Sequence, residues 1–127
     1  MPSTAVLAVL LTLAITVFPV SAKVFHKTIH FERGASSAAV QGAVVRGDRD
    51  IYMLSASAGQ EMVVNVDSRE NNAAIVIHAP GNRMLPGAAD GDDASNWRGR
   101  LPVSGAYRIE VGPTRGNAEY TLTVSIR

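Results

Sequence analysis

The sequence predicts an all-β fold, a single antiparallel β-sandwich of about seven to eight strands, and three observations carry that prediction. In Tyr120-Thr121-Leu122-Thr123-Val124-Ser125-Ile126 the apolar residues hold every even position and hydroxyl residues every odd one, which sets one face on a core and the other in water. The same period of two recurs at Tyr107, Ile109 and Val111, at Met62, Val64 and Val66, and more loosely at Tyr52, Leu54 and Ala56. Turn residues punctuate these runs, and no segment after Ala22 carries a helical stripe or a long internal repeat.

Taken in order, the chain opens with 22 residues free of Asp, Glu, Lys and Arg. The apolar run Leu7–Phe18 followed by Pro19-Val20-Ser21-Ala22 matches a signal-peptide h-region and a small-residue cleavage site, although Met1-Pro2-Ser3-Thr4 supplies no basic side chain. A transmembrane anchor is the alternative, and it calls for about 20 apolar residues with a charged flank. Residues 1–22 are therefore read as a signal peptide and 23–127 as one β-sandwich domain. Without cysteine there is neither a lipid attachment site nor a disulfide framework, so an exported domain of this size is held by its core alone. That combination fits a bacterial periplasmic protein.

Strands are predicted at Val24–Phe31, Ala38–Val45, Tyr52–Ala56, Met62–Val66, Ala73–Ala79, Tyr107–Val111 and Tyr120–Ile126. Arg33-Gly34, Arg46-Gly47-Asp48, Ala58-Gly59-Gln60, Asn71-Asn72, Pro80-Gly81-Asn82, Ser104-Gly105 and Gly112-Pro113 are read as turns between them. The stretch Asn82–Arg100, which mixes Gly, Asp, Asn and Arg around the single tryptophan Trp97, is predicted as one long loop.

With 12 Lys+Arg against 11 Asp+Glu the formal net charge is +1, which excludes a polybasic nucleic-acid binder. His26 and His30, four apart on a predicted strand, share a face but sit about 13 Å apart, too far to share a metal ion, and read as solvated edge residues. His78 reads as a surface or rim residue. There is no Gly-x-Ser-x-Gly elbow, so the chain is read as a non-enzyme without cofactor or metal. Asp90-Gly91-Asp92-Asp93 has the oxygen chemistry of a calcium loop but lacks its spacing, and reads as a solvated turn. Arg46-Gly47-Asp48 is taken as a turn for the same reason of composition.

The most informative segment is Leu101-Pro102-Val103-Ser104-Gly105-Ala106-Tyr107. Pro102 withholds a ladder donor and Gly105 admits positive φ, so Val103–Ala106 is predicted as a tight projecting turn with a small hydroxyl at its tip. Tyr107 shares parity with Ile109 and Val111 and reads either as a core tyrosine with its hydroxyl near the rim or as a direct contact residue.

The run Phe31-Glu32-Arg33-Gly34-Ala35-Ser36-Ser37-Ala38, then Gly42, Gly47, Asp50, Tyr52, Ala56, Gly59 and Gln60, and then Leu101–Tyr107, resembles the bacterial periplasmic inhibitors of g-type lysozyme over about residues 28–126. The resemblance implies a β-sandwich that inserts a loop, here Ser104-Gly105-Ala106-Tyr107, into the enzyme's active-site cleft. Inhibitors of i-type and c-type lysozymes are similar in carrying such a Ser-Gly-x-Tyr motif, and i-type enzymes stand as an alternative target. One departure is the short segment Gly112–Glu119, where the g-type inhibitors have a longer, lysine-rich loop. The same glycine and tyrosine pattern also resembles prepeptidase C-terminal β-sandwiches, which gives the alternative of a stand-alone module that binds carbohydrate or an envelope protein.

A glycosidase cleft presents carboxylates, so an inhibitor must offer them donors. Ser104 and the backbone around Gly105 are expected to do so, and Arg115 is expected to pair with acidic rim residues. No nucleic acid, and no membrane after signal removal, is expected as a partner.

Overall fold

The structure is a computed structural model, and residues 24–127 are described. The signal-peptide reading lies outside them. The strands are β1 (Val24–Thr28), β2 (Ser37–Val44), β3 (Arg49–Ala56), β4 (Glu61–Ser68), β5 (Ala73–Ala79), β6 (Arg83–Met84), β7 (Asn96–Arg100), β8 (Gly105–Pro113) and β9 (Ala118–Ile126). They form a five-stranded sheet in the order β1-β3-β8-β5-β6 and a four-stranded sheet in the order β2-β9-β4-β7. All pairs are antiparallel except β1 with β3, the one departure from the predicted all-antiparallel arrangement.

The alternation read from the sequence is the burial pattern of the sandwich. Met62, Val64, Val66, Tyr120, Leu122 and Val124 of one sheet face Tyr52, Leu54, Tyr107, Ile109 and Val111 of the other. The intervening Thr121, Thr123 and Ser125 lie on the outer face, opposite Gln41, Ala39 and Ser37 of β2.

Two sequence readings are corrected. Residues 82–100 are not one loop, because they contain β6, the bridge Ile75–Ala94 and the whole of β7, which pairs with β4 from Asn65–Asn96 to Glu61–Arg100. The alternation there is masked because only Trp97 and Gly99 point inward, and a glycine carries no apolar signal. A Cβ on Gly99 would lie 2.6 Å from the Trp97 ring, so this glycine makes room for the indole, whose Nε1–H donates to the carbonyl of Pro86 at 2.9 Å. His78, read as a rim residue, is 6% exposed. Its Nε2 faces Glu110 at 3.7 Å, and Glu110 also meets Arg49 at 3.1 Å and Arg108 at 3.3 Å. These polar residues collect on the outer face of the five-stranded sheet, where His78 stands between Met84 of β6 and Arg108 of β8.

The core holds one polar network. Tyr120 of β9 donates to Asp50 of β3 at 2.5 Å, and the Tyr52 hydroxyl lies 2.5 Å from that of Tyr120. Since the Tyr120 proton goes to the carboxylate, Tyr52 is the donor in the second bond. The rings of Tyr52 and Tyr120 meet edge to face, with centroids 6.4 Å apart. Burial, ahead of the bond to Asp50, pushes the Tyr120 hydroxyl far above the ordinary tyrosine range. Burial also raises Tyr52, against the lowering effect of its bond to Tyr120.

Both tyrosines thus resist ionisation in the folded state and ionise near pH 10 in the unfolded chain. The stability they contribute is complete below that pH and falls as pH rises above it, by about 1.4 kcal/mol per pH unit for Tyr120. Equilibrium denaturation across the alkaline range should show this fall, and Tyr52→Phe should make it shallower. At neutral pH, Tyr120→Phe strips a buried carboxylate of its donor and should cost about 3 kcal/mol in a chemical melt.

Candidate functional site

The register fixes which loops meet. Ala56 pairs with Gly105 across β3 and β8, and β5 runs antiparallel to β8 on its other side. The turn after β3 (57–60), the turn after β5 (80–82) and the segment 101–104 therefore gather at one end of the sandwich. Leu101 is buried, and its N–H donates to the Gln60 carbonyl at 2.8 Å while its own carbonyl accepts from Gly59 at 2.8 Å. This pair of bonds anchors the base of the projecting segment on the β3–β4 turn.

Two further bonds set the shape of its tip. The Tyr107 ring is fully buried, and its hydroxyl donates to the Val103 carbonyl at 2.6 Å. A core tyrosine thus reaches back four residues and ties down the turn, the device by which β-sandwiches fix a loop against a strand. Ser104 Oγ accepts the Ala58 N–H at 2.8 Å. A hydroxyl has one proton to give, and accepting this bond leaves that proton available. Gly105 has φ +142°, and a Cβ there would stand 2.9 Å from Pro80 Cγ, so the start of β8 presses against the β5–β6 turn. Pro102, Val103 and Ser104 are exposed, Val103 as a large apolar side chain at 42%. The result is a stiff projection with an apolar flank and an exposed serine whose hydroxyl still has its proton to donate.

Ser104, Gly105 and Tyr107 are brought together as read from the sequence, and Tyr107 occupies the core position that parity gave it. Arg115 is not brought to them. The nine residues of β8 separate the two turns, and Arg115 sits at the opposite end, its guanidinium donating to the Glu70 carbonyl. There the buried Asn72 holds the β8–β9 turn by donating to the carbonyls of Arg115 and Asn117 at 3.1 and 2.9 Å. Sequence reasoning missed Ala58 and Pro80 as partners of the Ser104 turn. Both lie in segments recognisable as turns, but only strand register places them beside it.

The acidic turn and Arg46-Gly47-Asp48 have structural partners. Asp92 accepts the Ala89 N–H at 2.9 Å, and Asp90 faces Arg49 at 4.0 Å, so these carboxylates of the acidic turn are spent on different neighbours. His26 and His30 are exposed. In Arg46-Gly47-Asp48 the Asp48 N–H closes a turn on the Val45 carbonyl at 2.9 Å, with Gly47 at φ +87°.

Among solved structures, the chain matches the Aeromonas hydrophila PliG, described as a periplasmic lysozyme inhibitor of g-type lysozyme, with 34% identity, a TM-score of 0.71, and coverage of 84% of this chain and 100% of the other. The chain belongs to the PliG family. Salmonella Typhimurium PliG matches at 24% identity over 81% of this chain and 98% of the other, with a TM-score of 0.65. The prepeptidase C-terminal domain of a Bacillus anthracis collagenase matches at 14% identity over 84% of this chain and 97% of the other, with a TM-score of 0.51. These two show a shared fold. No family model and no curated protein matches the chain.

Within this family member the tie from Tyr107 to Val103 is a built feature of the exposed turn. Tyr107→Phe keeps the buried ring and removes only the hydroxyl, so it should cost about 1 kcal/mol and lower the melting temperature by several degrees. Amide exchange should quicken at Val103 and Ser104 while the strands keep their protection.

Proposed function

We propose that this protein is a periplasmic inhibitor of g-type lysozyme and that it acts by inserting the Ser104-Gly105-Ala106-Tyr107 loop, led by the exposed residues Pro102 and Val103, into the enzyme's active-site cleft. The observation that carries the assignment is its 34% identity, over the whole length of the other chain, to a g-type lysozyme inhibitor. The insertion mechanism rests on the turn itself. A cleft that cleaves glycosidic bonds is narrow and lined with carboxylate oxygens, and it is matched by a projection whose tip offers a hydroxyl proton. Ser104 is the donor, Val103 fills apolar space beside it, and Tyr107 positions both from within the core. Because the turn is held by the Ala58, Gln60 and Val103 bonds before it meets an enzyme, little conformational entropy is lost on binding. Arg115, at the other end of β8, belongs to a different surface, and the contact is built without it. The protein acts on lysozyme as a binding partner and catalyses no reaction itself.

Clearing of a peptidoglycan suspension by g-type lysozyme should be blocked at near-stoichiometric ratio, and the same assay with i-type and c-type enzymes defines the class inhibited. Ser104→Ala removes one donor from a desolvated contact and should weaken inhibition by about 1–3 kcal/mol, or roughly five- to 150-fold. Ser104→Asp sets a negative charge against the enzyme's carboxylates and should nearly abolish inhibition. Both variants should melt within a few degrees of the parent, since the bond lost to Ala58 is exposed. Full inhibition by Ser104→Asp would show that the turn does not enter the cleft.

A further inference from the structure

The Ser104 hydroxyl presents its proton in one direction only if its side chain is fixed, because χ1 of a serine has three staggered wells and an exposed side chain visits more than one. The bond that Ser104 Oγ accepts from the Ala58 N–H at 2.8 Å makes that selection. Ala58 is itself exposed, in the turn Ser57-Ala58-Gly59-Gln60, and its methyl side chain forms no hydrogen bond that could hold it there. What holds Ala58 is the closure of the turn around it.

Gln60 closes that turn. Its backbone N–H donates to the Ser57 carbonyl at 3.2 Å, and its side-chain Oε1 accepts the Ser57 N–H at 2.7 Å, so both backbone groups of Ser57 end on one residue. Gly59, at φ +86°, supplies the left-handed step between them. The Gln60 carbonyl also accepts the Leu101 N–H at 2.8 Å, so the residue that closes the turn around Ala58 is the one on which the projecting segment is seated. Of these bonds only the one to Oε1 depends on which residue stands at position 60, since any residue other than proline supplies the backbone groups. That bond is exposed, so it adds little to global stability and acts on order within the turn.

We propose that Gln60 is a positioning residue for lysozyme inhibition. Its side-chain carbonyl is spent on Ser57, and it acts through Ala58 and Ser104 by holding the N–H that orients the Ser104 hydroxyl toward the enzyme. This rests on the insertion of the Ser104 loop set out above.

Gln60→Met tests it, since methionine keeps the length of the side chain and removes the acceptor. The variant should melt within a few degrees of the parent, exchange its Ser57 and Ala58 amides faster, and inhibit g-type lysozyme about three- to tenfold less tightly, the cost of ordering one or two side chains on binding. A merely structural role would give that loss whatever stands at position 104. The deciding measurement is therefore the double-mutant cycle: in a Ser104→Ala background, Gln60→Met should weaken inhibition by less than about twofold. Gln60→Glu keeps an Oε1 acceptor, and in that background Ser104→Ala should cost as much as it does in the parent. Parent-like inhibition by Gln60→Met, Ala58 amide exchange at the parent rate, or an undiminished loss in the Ser104→Ala background would each overturn the role of Gln60 and leave the insertion reading standing. If Ser104→Ala alone inhibits as the parent does, the insertion reading falls, and the role of Gln60 falls with it.

Discussion

The hydrogen bond from Tyr120 to Asp50 is the contact on which the sandwich depends most, because it joins the two sheets through a buried carboxylate. Elsewhere the sheets meet through apolar side chains, which are strong in sum but tolerate sliding. A carboxylate 7% exposed tolerates very little, since its oxygens must find donors at hydrogen-bond length or forfeit several kcal/mol. Asp50 on β3 and Tyr120 on β9 therefore fix how one sheet sits on the other, and Tyr52 completes the network from β3.

Other features follow from that choice. Tyr120 can lie where it does because Gly42 opposes it on β2, where a Cβ would stand 2.4 Å from the Tyr120 hydroxyl. The glycine is thus required by close approach rather than by a turn. It also keeps β2 narrow and uncharged along the edge. With the sheets locked, β8 acts as a spacer at the centre of the larger sheet. One of its ends carries the Ser104 turn, and the other carries Arg115 and the Asn72-held turn.

The Ser104 turn shows how a short exposed segment becomes stiff without disulfides. Its base is a backbone pair with the β3–β4 turn, its middle is tied by a core tyrosine, and its tip hydroxyl is fixed on Ala58. None of these bonds is strong alone. Together they leave the segment few alternatives, and a projection with few alternatives loses little entropy when it is bound.

Fold class, most of the strands and the inward set of residues were legible in the order of residues, because a period of two is a local property that burial then reads out directly. That order also placed Ser104 on an exposed turn, since Pro102 and Gly105 act on their own backbone, and by parity offered the core as one of two readings for Tyr107, the one the structure bears out. It failed at β7, where the inward positions are Trp97 and Gly99, and at His78, which is buried between Met84 and Arg108 of the neighbouring strands and faces Glu110. The partners emerged with the assembled sheets: Ala58 and Pro80 beside the turn, Asp50 with Tyr120, Arg115 at the far end, and β2 at the edge of its sheet. The physical reason is that register and strand order depend on long-range hydrogen bonding, and no local pattern of residues encodes which strand lies beside which.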